Sequence, residues 1–600
     1  MASKQKATKA TLIFRWALLA LFLLLAWSGL ALLRASTSAR VAWQDLSYVQ
    51  AHQSDLGTST GRDDLAKRLT AASDHLTKAK SSLSSAYGVT LLRIIPGLDQ
   101  EIVGTSQLLD DGKTVARAVV NLLHAASAVS GERRGTHVKL EALAQLDVAV
   151  KQATATFAAA QKDPDGLFGP VEKYRLLLNE KLASLSGSLR HADAALRLAA
   201  QVYGTHGPNS LLVLAQNNAE MRDQGCVLSY ALLRGDKGAL RLEKTGAIQE
   251  LALDQAVNQP MSRGTAKVFG INQPTTMWQS VNDPGDFSWS AATAAKMYEE
   301  KTGVHVDMVV GADVVTIAGL LQALGPVTLS EPQVTVSSAT VEELVLHQLY
   351  NAYARGDQQG RHDALAAIVE AVFSKLTTEQ LNPAALASAL APSVAGRHLL
   401  VWSSRSTEEA AAVALGVSGR LDTVLPGRTF HLAVESAVAA KLDYYVDVAA
   451  DYHVSVLENG DAWVKTTITE TNHAPANQPP SYQLGPDHIN SFRPGDYVSN
   501  TYLWAPKGAR TQRGIDEGGL VLSAASLKVG PQQSNHFIVW TYLPHAVRDG
   551  SLVLHFIPQP RLRPQTLSVE VEGAGWMVKG NHAWSGPLAK SEILKFHMHR

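Results

Sequence analysis

The densest group of side chains able to do chemistry is the run Gln216-Asn217-Asn218-Ala219-Glu220-Met221-Arg222-Asp223-Gln224-Gly225. Seven of its residues carry an amide, an acid or a guanidinium, and only Ala219 and Met221 interrupt them before the glycine. Such groups are costly to bury without partners. Arg222 has the planar fork that holds a phosphate through two parallel hydrogen bonds. Glu220 or Asp223 could hold a cation or act as a base. The run follows directly on the apolar stretch Leu211 to Ala215, which reads as a buried strand. In open α/β sheets ligands bind at the carboxyl ends of strands. Arg222 and Asp223 are therefore the candidate catalytic residues, with Gln216, Asn217, Asn218 and Glu220 as candidate ligand-binding residues. A plainer alternative stands beside this. The run would then be a polar loop whose asparagines cap a helix and whose Glu220 pairs with Arg222.

Other motifs are absent or misplaced. Gly57-Thr58-Ser59-Thr60-Gly61 fits G-x-S-x-G, but the preceding Gln50 to Leu56 is polar and shows no strand, so it reads as a linker. Gly112-Lys113-Thr114 has Gln107 where a P-loop needs its first glycine. Lys301-Thr302-Gly303 has no S-x-x-K before it in the outer portion and reads as a helix C-terminus. No H-E-x-x-H occurs, and a single cysteine, Cys226, excludes an intrachain disulfide and a thiolate zinc site.

The elements that must position the polar run fall into three regions. From about 40 to 203 the chain is rich in Ala, Leu, Ser and Lys. Leu65, Leu69, Ala72, Leu76, Ala79, Leu83 and Ala86 form one heptad seam, and Leu178, Leu182, Leu185, Leu189, Ala192, Leu196 and Ala199 a second. Each stripe wants a partner helix, which predicts an all-α stalk or bundle. Breaks are expected at Arg93-Ile94-Ile95-Pro96-Gly97 and at Asp163-Pro164-Asp165-Gly166. Residues 208–424 alternate strands and helices and predict an α/β domain. There a hairpin spans Cys226 to Leu233 and Ala239 to Glu243, and a strand spans Val306 to Gly311. Helices are expected over Ser290 to Lys301, Val314 to Leu324, Val341 to Ala354 and His362 to Leu376. Residues 425–600 carry short strands separated by Gly, Pro and Asn, the pattern of an all-β, sandwich-like domain. Asp443-Tyr444-Tyr445 is expected at or before a strand start, with the two tyrosines half-buried by packing.

Location comes from the N-terminus. Trp16 to Leu33 is 18 residues without charge, about 27 Å as a helix, against roughly 30 Å of hydrocarbon. Lys4, Lys6, Lys9 and Arg15 precede it with no acid between. Residues 1–15 are thus expected as a cytoplasmic tail, 16–33 as a single transmembrane helix, and the rest outside the cell membrane. The alternative, a cleaved signal peptide, would have a shorter apolar region. Hydrophobic content of 46% with 18% charge is that of a globular chain. The balance of 54 basic and 54 acidic residues excludes a typical nucleic-acid binder.

The stretch Leu212 to Arg222 resembles the signature of an uncharacterised family of large, membrane-anchored bacterial proteins, a domain of unknown function known mainly from high-GC Gram-positives. The resemblance continues through Asp286-Phe287, Thr302 to Asp307, Leu324-Gly325-Pro326-Val327, Lys441 to Tyr445 and Pro506-Lys507-Gly508-Ala509. More distantly, Gly303 to Asp307 with Asp313 to Val327 is similar to the LytR–CpsA–Psr phosphotransferases, which join glycopolymers from a polyprenyl-pyrophosphate carrier to cell wall. That resemblance implies Arg222 near a pyrophosphate, Arg263 as a further phosphate partner, and magnesium to balance the diphosphate. Arg234 and Arg241 are expected on the exposed hairpin instead. The Arg-Ser-Asp-Thr motif of those enzymes is replaced here by Arg222-Asp223-Gln224-Gly225. Where the uncharacterised family has two glycines and a phenylalanine, this chain has Gly225-Cys226-Val227. Two functions stay open. One is an extracytoplasmic envelope protein that binds or transfers a lipid-linked glycopolymer. The other is a non-catalytic scaffold binding other envelope proteins, with a degenerate α/β domain.

Overall fold

The computed structural model describes residues 34–49, 51–52, 55, 58–85, 98–131, 137–329, 333–353, 358–378, 383–421, 424–485 and 492–600. The expected transmembrane segment 16–33 lies outside them. Among the described residues no helix is long and apolar enough to cross a membrane. The chain divides into two compact units, residues 1–133 with 138–196, and residues 134–137 with 197–600.

The first unit is helical: α1 (Ser59–Ser84), α2 (Leu98–Gly131), α3 (Leu140–Ala160) and α4 (Gly169–Val202), the last running on into the second unit. The G-x-S-x-G match is the entry to α1, where Thr58 Oγ1 accepts the Gly61 N–H at 3.0 Å as N-cap. The first seam finds its partner within the chain. Leu65 and Leu69 are buried against Ala116 and Leu123 of α2. Leu182 and Leu189 of the second seam pack with Val150, Ala153 and Phe157 of α3, while Leu185 is exposed. Between them Arg175 is 1% exposed and pairs with Asp111 at 2.9 Å.

The second unit begins with β1 (Asn209–Asn217), β2 (Cys226–Asp236), β3 (Ala239–Ala247), β4 (Met308–Ala312) and β5 (Leu399–Ser403). They form one mixed sheet in the order β3-β2-β1-β4-β5, in which only β1 and β4 run parallel. Leu212, Leu214 and Val309 pack against Phe287, Ala291, Ala294 and Met297 of α5 (Phe287–Thr302). α5 opens on the Asp286 cap and closes at Gly303, whose φ of 72° suits glycine. The crossover delivers the chain to β4 and then to α6 (Val314–Leu324), capped by Asp313. α6 and α7 (Gln358–Thr378) share a second core with the segment 341–349.

The remainder is β: β6 (Thr429–Ser436), β7 (Val446–Val456), β8 (Ala462–Asn472), β9 (Tyr497–Ala505), β10 (Arg510–Thr511), β11 (Ile515–Glu517), β12 (Leu520–Val529), β13 (Gln533–Leu543), β14 (Ser551–Ile557), β15 (Thr566–Gly573), β16 (Met577–Lys579), β17 (Ala583–Pro587) and β18 (Glu592–His599). One sheet has the order β10-β13-β8-β7-β15-β17, and the other β11-β12-β9-β6-β14-β18-β16. Their inner faces share one core, with Val448, Tyr452, Val464 and Val569 from the first and Leu432, Leu503, Leu554 and Phe596 from the second. Strict alternation along β7 and β8 drives this, since every second residue is buried. The α/β and β parts were expected as separate domains at 208–424 and 425–600. Both lie in the one second unit.

Candidate functional site

β1 and β4 are adjacent and parallel, so their carboxyl ends bring Gln216, Asn217 and Asn218 beside Asp313. This is where an α/β sheet would hold a ligand. Here the polar run is stitched to the β part instead. Asn218 Nδ2 donates to Asp313 Oδ2 and to the Pro560 carbonyl, both at 2.7 Å. The Met221 N–H donates to Asp443 Oδ2 at 2.9 Å. The Ser436 N–H donates to the Met221 carbonyl at 3.0 Å, and Gln559 Nε2 to the Arg222 carbonyl at 2.9 Å.

Arg222 lies inside this seam. Its Nε faces Asp283 Oδ1 at 3.1 Å. Its Nη1 donates to the carbonyls of Met221 at 2.9 Å and Ser436 at 3.0 Å, and Nη2 lies 3.6 Å from Glu220. The surrounding carboxylates respond to burial. Asp283 is pushed up to about 6 by desolvation, which Arg222 only partly offsets. Glu435 is driven well above the usual range by burial and then by repulsion from Asp283. Glu220 is the exception: burial pushes it up, but Lys441 and Arg222 together outweigh that and hold it low. Lys441 forms a close ion pair with it.

Asp223 is fully buried. Its Oδ1 accepts from His431 Nε2 at 2.5 Å, and its Oδ2 faces Arg397 Nη2 at 3.3 Å and the Gln224 amide. Both oxygens are therefore occupied within the fold. Gln216 is buried and its amide makes no hydrogen bond among the described residues. Asn217 donates to the Tyr350 hydroxyl at 2.5 Å and accepts the Ala219 N–H at 2.8 Å. Arg263 stands exposed on the short helix Arg263–Phe269, which meets β11 through Thr265 and Glu517 at 2.8 Å. No ion pair joins it to the other candidates among the described residues. Arg234 reaches Ser210 Oγ at 2.9 Å on the hairpin.

The residues that sequence reasoning missed are those brought in from far along the chain. Asp443, 5% exposed, holds the Met221 N–H, the Tyr497 hydroxyl at 2.7 Å and Arg561 at 3.1 Å. Arg361, 3% exposed, has an unpartnered Nε. Its guanidinium lies 4.9 Å from the Tyr350 ring and 5.5 Å from the Tyr482 ring, with Lys441 at 5.8 and 5.7 Å from the same rings. No carboxylate pairs with Arg361 among the described residues. Lys441 and Asp443 lie in the stretch Lys441 to Tyr445 that carries the family resemblance, whereas Arg361 sits in the polar stretch Gln358 to Asp363 with nothing in the sequence to mark it.

The residues do not fit a magnesium ion. Asp313 spends Oδ1 on the N–H groups of Val315 and Thr316 and Oδ2 on Asn218 and His398. Asp223 is equally committed. No group of three or more His, Cys, Asp or Glu among the described residues could hold a metal. What the arrangement does chemically is compensate charge. Gly225 completes it: its φ of 99° favours glycine, and a Cβ there would meet the Asn217 backbone at 3.2 Å.

Several solved structures are similar to part of the chain. Three of them are the transcriptional regulator yvhJ from Bacillus subtilis (15% identity, 35% of this chain and 77% of that one, TM-score 0.20), the Lin1025 protein from Listeria innocua (14%, 35% and 78%, 0.19) and TagV from B. subtilis (14%, 35% and 80%, 0.21). Likeness at these TM-scores carries no argument about activity. No curated protein matches the chain. Residues 206–350, which contain the whole polar run, β1, β4 and α6, match the family model described as "Protein of unknown function (DUF4012)".

Proposed function

We propose that this chain is a cell-envelope protein, held at the cell membrane by residues 16–33 with its bulk outside, and that its α/β part is a non-catalytic scaffold. In this reading the polar run locks the mixed sheet to the β part. One observation carries it. Arg222, the group best suited to a phosphate, is spent on Asp283, Glu220 and two backbone carbonyls. The charge-free segment and its basic flank support the anchor. The partners would be other envelope proteins and the bilayer, with no nucleic acid.

A second reading has one specific observation in its favour. Among the described residues Arg361 is a buried cation in no carboxylate ion pair, felt by Glu220 only at longer range, next to Lys441 and two tyrosines. A buried charge needs compensation, and the pyrophosphate of a lipid-linked glycopolymer would supply it. Arg361→Met separates the two. Under the scaffold reading the variant unfolds at the same or higher denaturant, and the parent shows no saturable binding of a short-chain polyprenyl pyrophosphate with or without Mg²⁺. Saturable binding that is lost in Arg361→Met with unchanged stability would replace the scaffold reading with the second one.

A further inference from the structure

The outer face of the six-stranded sheet carries aromatic rings where the alternation calls for polar residues. On β8 the outward positions are Trp463, Lys465, Thr467, Thr469 and Thr471, and on β13 they are Ser534, His536, Ile538, Trp540 and Tyr542. The register sets Trp463 opposite Tyr542 and Lys465 opposite Trp540. Trp463 is 41% exposed and Trp540 44% exposed. Their ring centroids are 6.4 Å apart at 79°, and Trp463 lies 5.1 Å from Tyr542 at 62°. Arg510 extends the row, 5.8 Å from the Tyr542 ring. None of these rings serves the core, which lies on the other face of the same strands.

We infer that this face binds a neutral, hydroxyl-rich polysaccharide, with Trp463, Trp540 and Tyr542 as the platform on which sugar rings stack. A pyranose offers one face of weakly positive C–H groups, which packs on the negative face of an aromatic ring. Its rim of hydroxyls needs donors and acceptors close by. Neighbouring strands about 4.8 Å apart put them there. Lys465 pairs across to His453 of β7, and Thr467 to Asp451. Glu570 and Ser568 of β15 come next in the same rows.

Two observations choose this occupant over others. The apolar part is limited to three rings and Ile538, and threonines, serines and charges surround it. A stable protein interface has a charge-depleted centre, whereas Lys465 and Arg510 stand among these rings. The charges on β7 and β15 are mostly acidic. Asp451, Glu570 and Glu572 stand with His453, which faces both glutamates at 3.6 and 3.1 Å. This acidic flank repels phosphate-bearing polymers and nucleic acid, Lys465 and Arg510 stand as cations beside the rings, and the mixed charge of the whole face suits a polymer without charge.

The inference goes beyond the proposed function and fails independently of it. The test uses the full chain purified in detergent, mixed with microcrystalline cellulose, chitin, insoluble α-glucan and peptidoglycan sacculi stripped of anionic polymers, with heparin beads as the polyanion. Retention is expected on at least one of the first four and should persist in about 1 M salt. The Trp463→Ala/Trp540→Ala double variant should bind at least about tenfold more weakly with unchanged circular dichroism, while Trp463→Tyr retains binding. If the double variant folds poorly, Trp540→Ala alone gives the same readout. Retention on none of the four matrices, retention on heparin alone, equal retention of the folded variants, or a dimer that the substitutions dissociate would each overturn the inference.

Discussion

Arg222 and Asp283 show how one buried pair sets the behaviour of a whole seam. Asp283 has a usual carboxyl value of 3.8, and burial lifts it to about 6. The folded state therefore holds a proton that the unfolded chain has already lost between these values. The contribution of Asp283 to stability is complete below about pH 4 and declines as pH rises through about 6. Asp283→Asn has no proton to lose. Its unfolding free energy relative to the parent should rise by on the order of 3 kcal/mol from about pH 4 to about pH 7, measured by urea denaturation at each pH. A flat difference would refute the assignment. The Glu220–Arg222 pairing was legible in the sequence as the plainer alternative, because both lie in one short run. Lys441 was not, since it lies 221 residues from Glu220. Nor was Asp443, whose three partners come from three distant segments.

Elements were legible where the chain punctuates itself. Val314–Leu324 matches its expectation residue for residue, because Asp313 caps its start and Gly325-Pro326 ends it. The heptad seams gave α1 and α4, though not their partners. β6 escaped notice although Phe430, Leu432 and Val434 alternate with Thr429, His431 and Glu435; both of its faces are buried, so the polar residues of the alternation lie inside the molecule and not on its surface. Its His431 and Glu435 make sense only beside Asp223 and Asp283. Two substitutions test this scale. Leu69→Ala in α1, at a site 4% exposed, should cost about 2–5 kcal/mol in the helical melting transition and leave the association state unchanged. A shift in sedimentation would mean that the seam closes between chains. Gly225→Ala should lower the unfolding free energy by about 1–3 kcal/mol, and the midpoint with it, because alanine strains at that φ. A midpoint equal to the parent's would show that the loop does not need this backbone.

For the whole molecule, the succession of helical, α/β and β-rich regions was legible from composition and periodicity. The contacts between the α/β and β parts, such as Asn218 with Pro560, 342 residues apart in the second unit, were not legible. The proposed topology predicts that protease added to intact protoplasts digests residues beyond about 34 and spares the basic N-terminal tail. Digestion only after lysis would place the bulk of the chain inside. The central claim, that the polar run serves the fold, is tested most directly by a double-mutant cycle. Unfolding free energies are measured for the parent, Arg222→Ala, Asp283→Ala and the double variant. The account predicts that Arg222→Ala alone costs about 3–5 kcal/mol and that the pair is coupled by about 1–3 kcal/mol. A coupling near zero, with Arg222→Ala as stable as the parent, would contradict it and leave the arginine free for a ligand.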